Sequence, residues 1–164
     1  MNHIVAICPG SFDPITVGHL DIIRRASHMF SKVIVVVMPN LSKTPSFTPE
    51  ERMEMIRAAT ADVEHVEVDY YKGLLADYCR QKHAGAIVKG LRAMSDFEYE
   101  FQMALTNKKL NPATETVFLT TSAENMYLSS SMVKQIGSMG GDISSFVPGV
   151  IHDKIKNRLL GKDE

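Results

Sequence analysis

Short apolar, β-branched runs alternate along the chain with stretches in which apolar residues recur every three or four positions. The short runs predict five strands, at residues 4–8, 33–38, 63–68, 86–89 and 116–119. The second is almost wholly Val and Ile, which suits a strand covered on both faces, and the third alternates as an edge strand does. The amphipathic stretch 20–30 predicts a first helix. Thr48-Pro49-Glu50-Glu51 reads as a capping box with proline at the first helical position. It opens a helix that turns Met53, Ile56 and Ala59 inward and frays over residues 60–62. Residues 74–83 predict another helix, which Gly85 can end. Ser95 with Glu98 reads as a second capping box, for a helix with Phe97, Phe101, Ala104 and Leu105 on one face. Ser129 can cap a helix over 130–136, and Pro148 can open a last one carrying Ile151, Ile155 and Leu159.

Strand–helix alternation of this kind predicts an α/β fold, an open, Rossmann-like parallel five-stranded sheet with helices on both faces. Such sheets take ligands beyond the carboxyl ends of their strands, at the point where strand order switches. Those ends carry residues 9–19, 39–43, 89–92 and 120–131, all rich in polar or cationic side chains. The topology gathers them on one edge. With 164 residues, 45% of them hydrophobic, the chain is long enough for one compact domain over residues 1–164.

Charge narrows the function. The net charge of −1 leaves no basic excess to hold a polyanion, so no nucleic acid partner is expected. Cys8 and Cys79 make neither a disulfide framework nor a zinc spacing and read as small core residues. The longest apolar run, residues 33–38, is too short to span a bilayer, and no signal peptide is visible. A soluble, cytoplasmic protein with no membrane partner is the expectation.

The chemistry concentrates in Pro9-Gly10-Ser11-Phe12-Asp13-Pro14-Ile15-Thr16-Val17-Gly18-His19. It links the first strand to the first helix, where unpaired backbone N–H groups and the positive dipole end favour an anion. Neither GxxxxGK[ST] nor GxGxxG is present, so phosphates must be held by helix starts and scattered cations. His19, just inside the helix behind Gly18, is placed to donate a hydrogen bond to a phosphoryl oxygen as charge builds. Ser11 fits a ligand contact and a turn-stabilising hydroxyl equally. Lys43 by itself reads as a solvated lysine. Lys89 ends a buried-looking strand, where an ammonium calls for an anion, and Arg92 can fork onto phosphate oxygens. Tyr99 and Glu100, two turns further on, read equally as ligand contacts and as a partly buried ring with a surface acid. Ser129, Ser130 and Ser131 can cap their own helix or form a second phosphate cradle. Asp13 stands beyond the Pro-Gly turn, which argues against a receiver-type module.

The first run resembles the T/HxGH motif of the nucleotidyltransferase superfamily, in the form found in the phosphopantetheine adenylyltransferase family. Lys89-Gly90-Leu91-Arg92, Asp96-Phe97-Glu98-Tyr99-Glu100 and Leu128-Ser129-Ser130-Ser131-Met132-Val133-Lys134 resemble three further motifs of that family, in order. The resemblance implies transfer of the adenylyl group of ATP to 4′-phosphopantetheine, giving 3′-dephospho-coenzyme A and pyrophosphate. It implies His19, Lys43 and Arg92 as catalytic residues. ATP would be held by Ser11, Phe12, His19, Gly90, Leu91, Arg92 and Glu100, and by Asn125, Met126, Tyr127, Leu128, Ser129, Ser130 and Ser131. The acceptor would meet Ser11, Lys43, Leu75 and Lys89. The resemblance further implies Mg²⁺ on the triphosphate and a homohexamer. Lys89 stands where the family commonly has Arg, Ser11 where Thr is frequent, and Asn125-Met126-Tyr127 lacks a Trp that some members carry. The alternatives are a related transferase acting on nicotinate mononucleotide or another phosphorylated acceptor, and a non-catalytic nucleotide-binding α/β module.

Overall fold

The computed structural model describes residues 3–162, without the side chains of Met94 and Ser95. Five strands, β1 (Val5–Gly10), β2 (Lys32–Val37), β3 (Val66–Tyr70), β4 (Ala86–Leu91) and β5 (Glu115–Thr120), form one sheet in the order β3-β2-β1-β4-β5. Every pairing is parallel. The α/β, Rossmann-like sheet expected from the alternation is therefore present, with β3 at an edge. Helices α1 (Val17–Met29), α2 (Pro49–Ala59), α3 (Leu75–Gln81), α4 (Met94–Leu110), α5 (Ser130–Ser138) and α6 (His152–Leu159) complete the chain.

Strand period divides the core in two. Ala6, Cys8, Val33, Val35, Val37 and Val88 face one side and pack with Ile22, Ile23 and Ala26 of α1, Met55 and Ile56 of α2, Val133 of α5 and Ile155 of α6. Ile7, Ile34, Val36 and Ile87 face the other, with Tyr78 and Cys79 of α3. Both cysteines are free and buried, as expected.

Several boundaries differ from the sequence expectations. β1 and β4 run two residues further, through Pro9-Gly10 and Gly90-Leu91, because each still pairs with its outer neighbour. β3 starts at Val66, opposite Val33, while Val63 belongs to a turn in which its N–H bonds the Thr60 carbonyl. α1 begins at Val17, so Gly18 and His19 lie in its first turn. α3 ends at Gln81, before His83 takes a left-handed φ of 52°, and Gly85 instead starts the return to β4. α4 begins at Met94 behind Ala93, so Ser95 is not its cap; the side chain of that serine lies outside the described residues. The capping box at Thr48 and the cap at Ser129 are both formed.

α4 departs most from a surface helix of a closed domain. Phe97, Phe101 and Leu105 of its expected apolar face are 39%, 48% and 58% exposed. The Phe97 and Phe101 rings stack on each other, 5.5 Å between centroids.

Candidate active site

β1 pairs with β2 over six residues but with β4 over only two, Ala6 with Ala86 and Ile7 with Ile87. Beyond Ile7 and Ile87 the two central strands part, at the switch in strand order. Pro9 in this stretch has no N–H to offer a ladder. The gap widens into a cavity of about 410 Å³, open at the carboxyl ends of the strands. The four loops expected at this edge all contribute to it. Two glycines shape it. A Cβ at Gly10 would lie 3.0 Å from the Phe12 ring, and one at Gly90 3.0 Å from Ile22. The first glycine makes room for Phe12, which holds a left-handed φ of 48° and is 4% exposed. The second lets β4 end close against α1.

His19 is fixed by the start of its own helix. Thr16 caps α1, its hydroxyl accepting from the His19 N–H at 3.3 Å. The His19 ring folds back so that Nδ1 accepts from the Thr16 N–H at 3.0 Å. This is a capping box with histidine in the place usually held by Glu or Gln. A backbone amide can only donate, so Nδ1 carries no proton and the neutral ring carries it on Nε2. Among the described residues Nε2 has no protein acceptor, and His19 lines the cavity. The edge-on Phe12 ring, 5.0 Å away, holds the imidazole from the side. Burial, with the nearby charges of Arg92 and Lys89, pushes the His19 pKa down to about 4. The ring is therefore a neutral hydrogen-bond donor near pH 7.

The cations are held by α4 and α5. Arg92 donates through Nε to Asp96 at 3.0 Å and through Nη1 to the Leu128 carbonyl at 2.8 Å. Lys89 pairs with Glu100 at 3.4 Å. Asp96 and Glu100, one turn apart on α4, thus each hold a cation from the end of β4. Lys43, on the exposed loop after β2, donates to the Ser131 hydroxyl at 3.2 Å. Ser129 caps α5 by accepting from the Met132 N–H, and Ser130 donates to the Pro14 carbonyl at 2.7 Å.

Ser11, Phe12, His19, Lys43, Lys89, Gly90, Arg92, Glu100, Asn125, Leu128, Ser129, Ser130 and Ser131 all line the cavity. Leu75, Leu91, Met126 and Tyr127 are not in its lining. Leu75, half-buried, packs against the core cluster of Ile7, Ile34, Val36 and Tyr78 on the other face of the sheet. Met126 and Tyr127 are 51% and 58% exposed, the Tyr127 ring lying edge-on to Phe146. Sequence reasoning passed over Asp96 as a partner for Arg92, although their i,i+4 spacing signals it. It also gave no role to Asp13, a residue only 6% exposed. Asp13 accepts from the Ser46 and Phe47 N–H groups at 2.9 Å each and from Lys134 Nζ at 2.8 Å. Arg52, also buried, donates to the Ser11 carbonyl at 2.9 Å.

The lining offers no activated nucleophile. Burial pushes the Cys8 thiol up to about 12 despite the opposing pull of Lys89, and no lining serine has histidine as a partner among the described residues. Polar donors and cations around an open slot instead suit the transfer of a phosphoryl-type group between two bound molecules. Fold and site together are those of a nucleotidyltransferase, and the cytidylyltransferase-like family model matches residues 7–136. Among solved structures, a bifunctional NMN adenylyltransferase/ADP ribose pyrophosphatase from Francisella tularensis superposes with a TM-score of 0.67. It is 19% identical, over 97% of this chain and 49% of that one, a likeness of fold. The phosphopantetheine adenylyltransferase of Caldanaerobacter subterraneus subsp. tengcongensis is 54% identical over 94% of this chain and 97% of its own length. That of Dictyoglomus turgidum is 51% identical over 97% and 99%. The chain belongs to the phosphopantetheine adenylyltransferase family.

Proposed function

We propose that the cavity between β1 and β4 is where ATP and 4′-phosphopantetheine meet, with His19 at the reacting phosphorus. The enzyme transfers the adenylyl group of ATP to 4′-phosphopantetheine, giving 3′-dephospho-coenzyme A and pyrophosphate. A phosphate oxygen of the acceptor attacks the α-phosphorus. The new P–O bond forms as the bond to the β-phosphate oxygen breaks, and that bond's electron pair leaves with pyrophosphate. The observation that carries the assignment of His19 is its fixed tautomer. Nε2–H donates to an α-phosphoryl oxygen as charge accumulates there and needs no proton transfer to do so. Arg92 and the N-terminus of α5 with its serines lie on the nucleotide side. Lys43 and Lys89 take the acceptor's phosphate. The Lys89 ammonium is a point charge without the two-pronged fork of an arginine, so it neutralises that phosphate more than it orients it.

No group of three or more His, Cys, Asp or Glu among the described residues forms a metal cage. Mg²⁺ binds few protein ligands in nucleotide sites and keeps several waters. The reading that fits is an ion carried in on the triphosphate, where it would shield phosphate charge. The exposed apolar side of α4 supports assembly with further copies of the chain, which the reading takes to be a hexamer. No described helix is long and apolar enough to cross a membrane. Our reading places the enzyme in the cytoplasm.

The test is pyrophosphate release with ATP and Mg²⁺, offering 4′-phosphopantetheine and nicotinate mononucleotide in parallel. Release is expected with the first alone; release with the second alone would move the acceptor. His19→Ala should lower kcat by about 100- to 1,000-fold with a smaller change in the ATP KM, as loss of one transition-state donor does. Unchanged turnover would remove His19 from the reaction.

A further inference from the structure

We infer that Asp13 is a positioning residue that sets Lys43 in place for the acceptor's phosphate, an inference that rests on the role given to Lys43 above. Asp13 is almost fully buried and does not line the cavity, so it meets no substrate itself. Its carboxylate closes a ring of contacts around the mouth of the site. From Asp13 the ring passes through the Ser46 and Phe47 N–H groups into the loop that carries Lys43. From Lys43 it crosses to the Ser131 hydroxyl, enters α5, and returns through Lys134 Nζ to the same carboxylate. Ser130 ties α5 to Pro14, next to Asp13, from a second side.

The two segments joined by this ring are unequally anchored. α5 has its own hold on the protein through Val133, which is fully buried. The loop after β2 is exposed over residues 40–45 and first becomes buried at Phe47. Among its contacts, the Asp13 carboxylate receives two backbone donors within three and four residues of Lys43. A carboxylate taking N–H groups and an ammonium makes stronger hydrogen bonds than a neutral amide in its place. Removing its charge should therefore release the loop before it disturbs α5, and the change should appear in the use of the acceptor.

The experiment is a double-mutant cycle read as kcat/KM for 4′-phosphopantetheine, with D13N, K43A and the pair. Circular dichroism and Tm first establish that each variant is folded. D13N should raise the acceptor KM about tenfold while the ATP KM moves less than about threefold. In the K43A background D13N should add almost nothing, because Asp13 works through Lys43. Losses that multiply would overturn the inference and leave Asp13 as a support of general stability. A K43A variant with normal acceptor kinetics would overturn the role of Lys43, and the relay with it. If D13N does not fold, K134Q opens the ring from its far side and keeps the carboxylate. It should raise the acceptor KM by a smaller factor that again vanishes in K43A, and a factor that persists there overturns the relay.

Discussion

At the scale of single residues, the site turns on how a protein keeps a histidine neutral and pointed. The Thr16 N–H occupies Nδ1, so a proton added to the ring there would face another N–H. Burial and the charges of Arg92 and Lys89 act the same way. The rate should therefore lack the limb near pH 6.5 that a working histidine usually produces; kcat/KM, which reports the free enzyme, should stay level from about pH 8 to about pH 5.5 as far as this ring is concerned. A pH–rate profile checks it, and an inflection near pH 6.5 that disappears in the His19→Gln variant would contradict it. Stability has a definite sign. The folded pKa of about 4 lies below the ordinary histidine value of about 6.5, so the unfolded chain takes up the proton first. The contribution of a neutral His19 is complete above pH 6.5 and is lost as pH falls from there through 4. The motif made the phosphate site legible in the sequence, but not the tautomer, which depends on how one ring folds back on its own helix start. Asp13 was illegible for a related reason: its partners lie 33 or more residues away.

At the scale of elements, the strands were readable from their apolar runs because a parallel strand covered on both faces has no polar side to confuse it. Their ends were less so. β3, with one neighbour only, is placed by its register on β2, and that is a contact between distant residues. The helices were readable where caps are local, as at Thr48 and Ser129. Glu51 does two jobs at the start of α2. It accepts from the Thr48 N–H at 2.8 Å and pairs with Arg158 of α6, at 2.5 Å for the closer oxygen. The hydrogen bond from Arg158, with that from Thr48, pulls its carboxyl down to about 2. Glu51→Ala should cost about 1–3 kcal/mol in urea unfolding, since both a capping box and a two-pronged ion pair go. A loss under about 0.5 kcal/mol, the size of an ordinary surface substitution, would show the pair to be incidental.

At the scale of the whole molecule, α4 is the informative misfit. One of its sides serves the cavity through Asp96 and Glu100, while Phe97, Phe101 and Leu105 stay exposed, Phe97 reaching only the Phe101 and Phe118 rings among the described aromatic residues. Periodicity correctly grouped those apolar residues; it carries no information on whether their cover comes from the same chain or another. With assembly through this helix, Phe101→Glu should lower the sedimentation coefficient to that of a smaller species. Unaltered sedimentation would place the subunit contacts elsewhere. Because the same helix holds Arg92 and Lys89 by their carboxylate partners, a dissociated variant is also expected to lose turnover.

The cap of α1 has a consequence for what selection can do with this chain. Judged by helix stability alone, position 19 invites glutamate, which would accept from the Thr16 N–H and favour the positive end of the helix dipole. Histidine fills the same slot less well for the helix and brings the one thing glutamate lacks, a second nitrogen bearing a proton. A screen that rewards heat resistance alone is thus drawn toward His19→Glu, a sturdier first turn with a negative charge where the phosphates must sit. The most tempting stabilising change in the motif is also the one that ends the reaction.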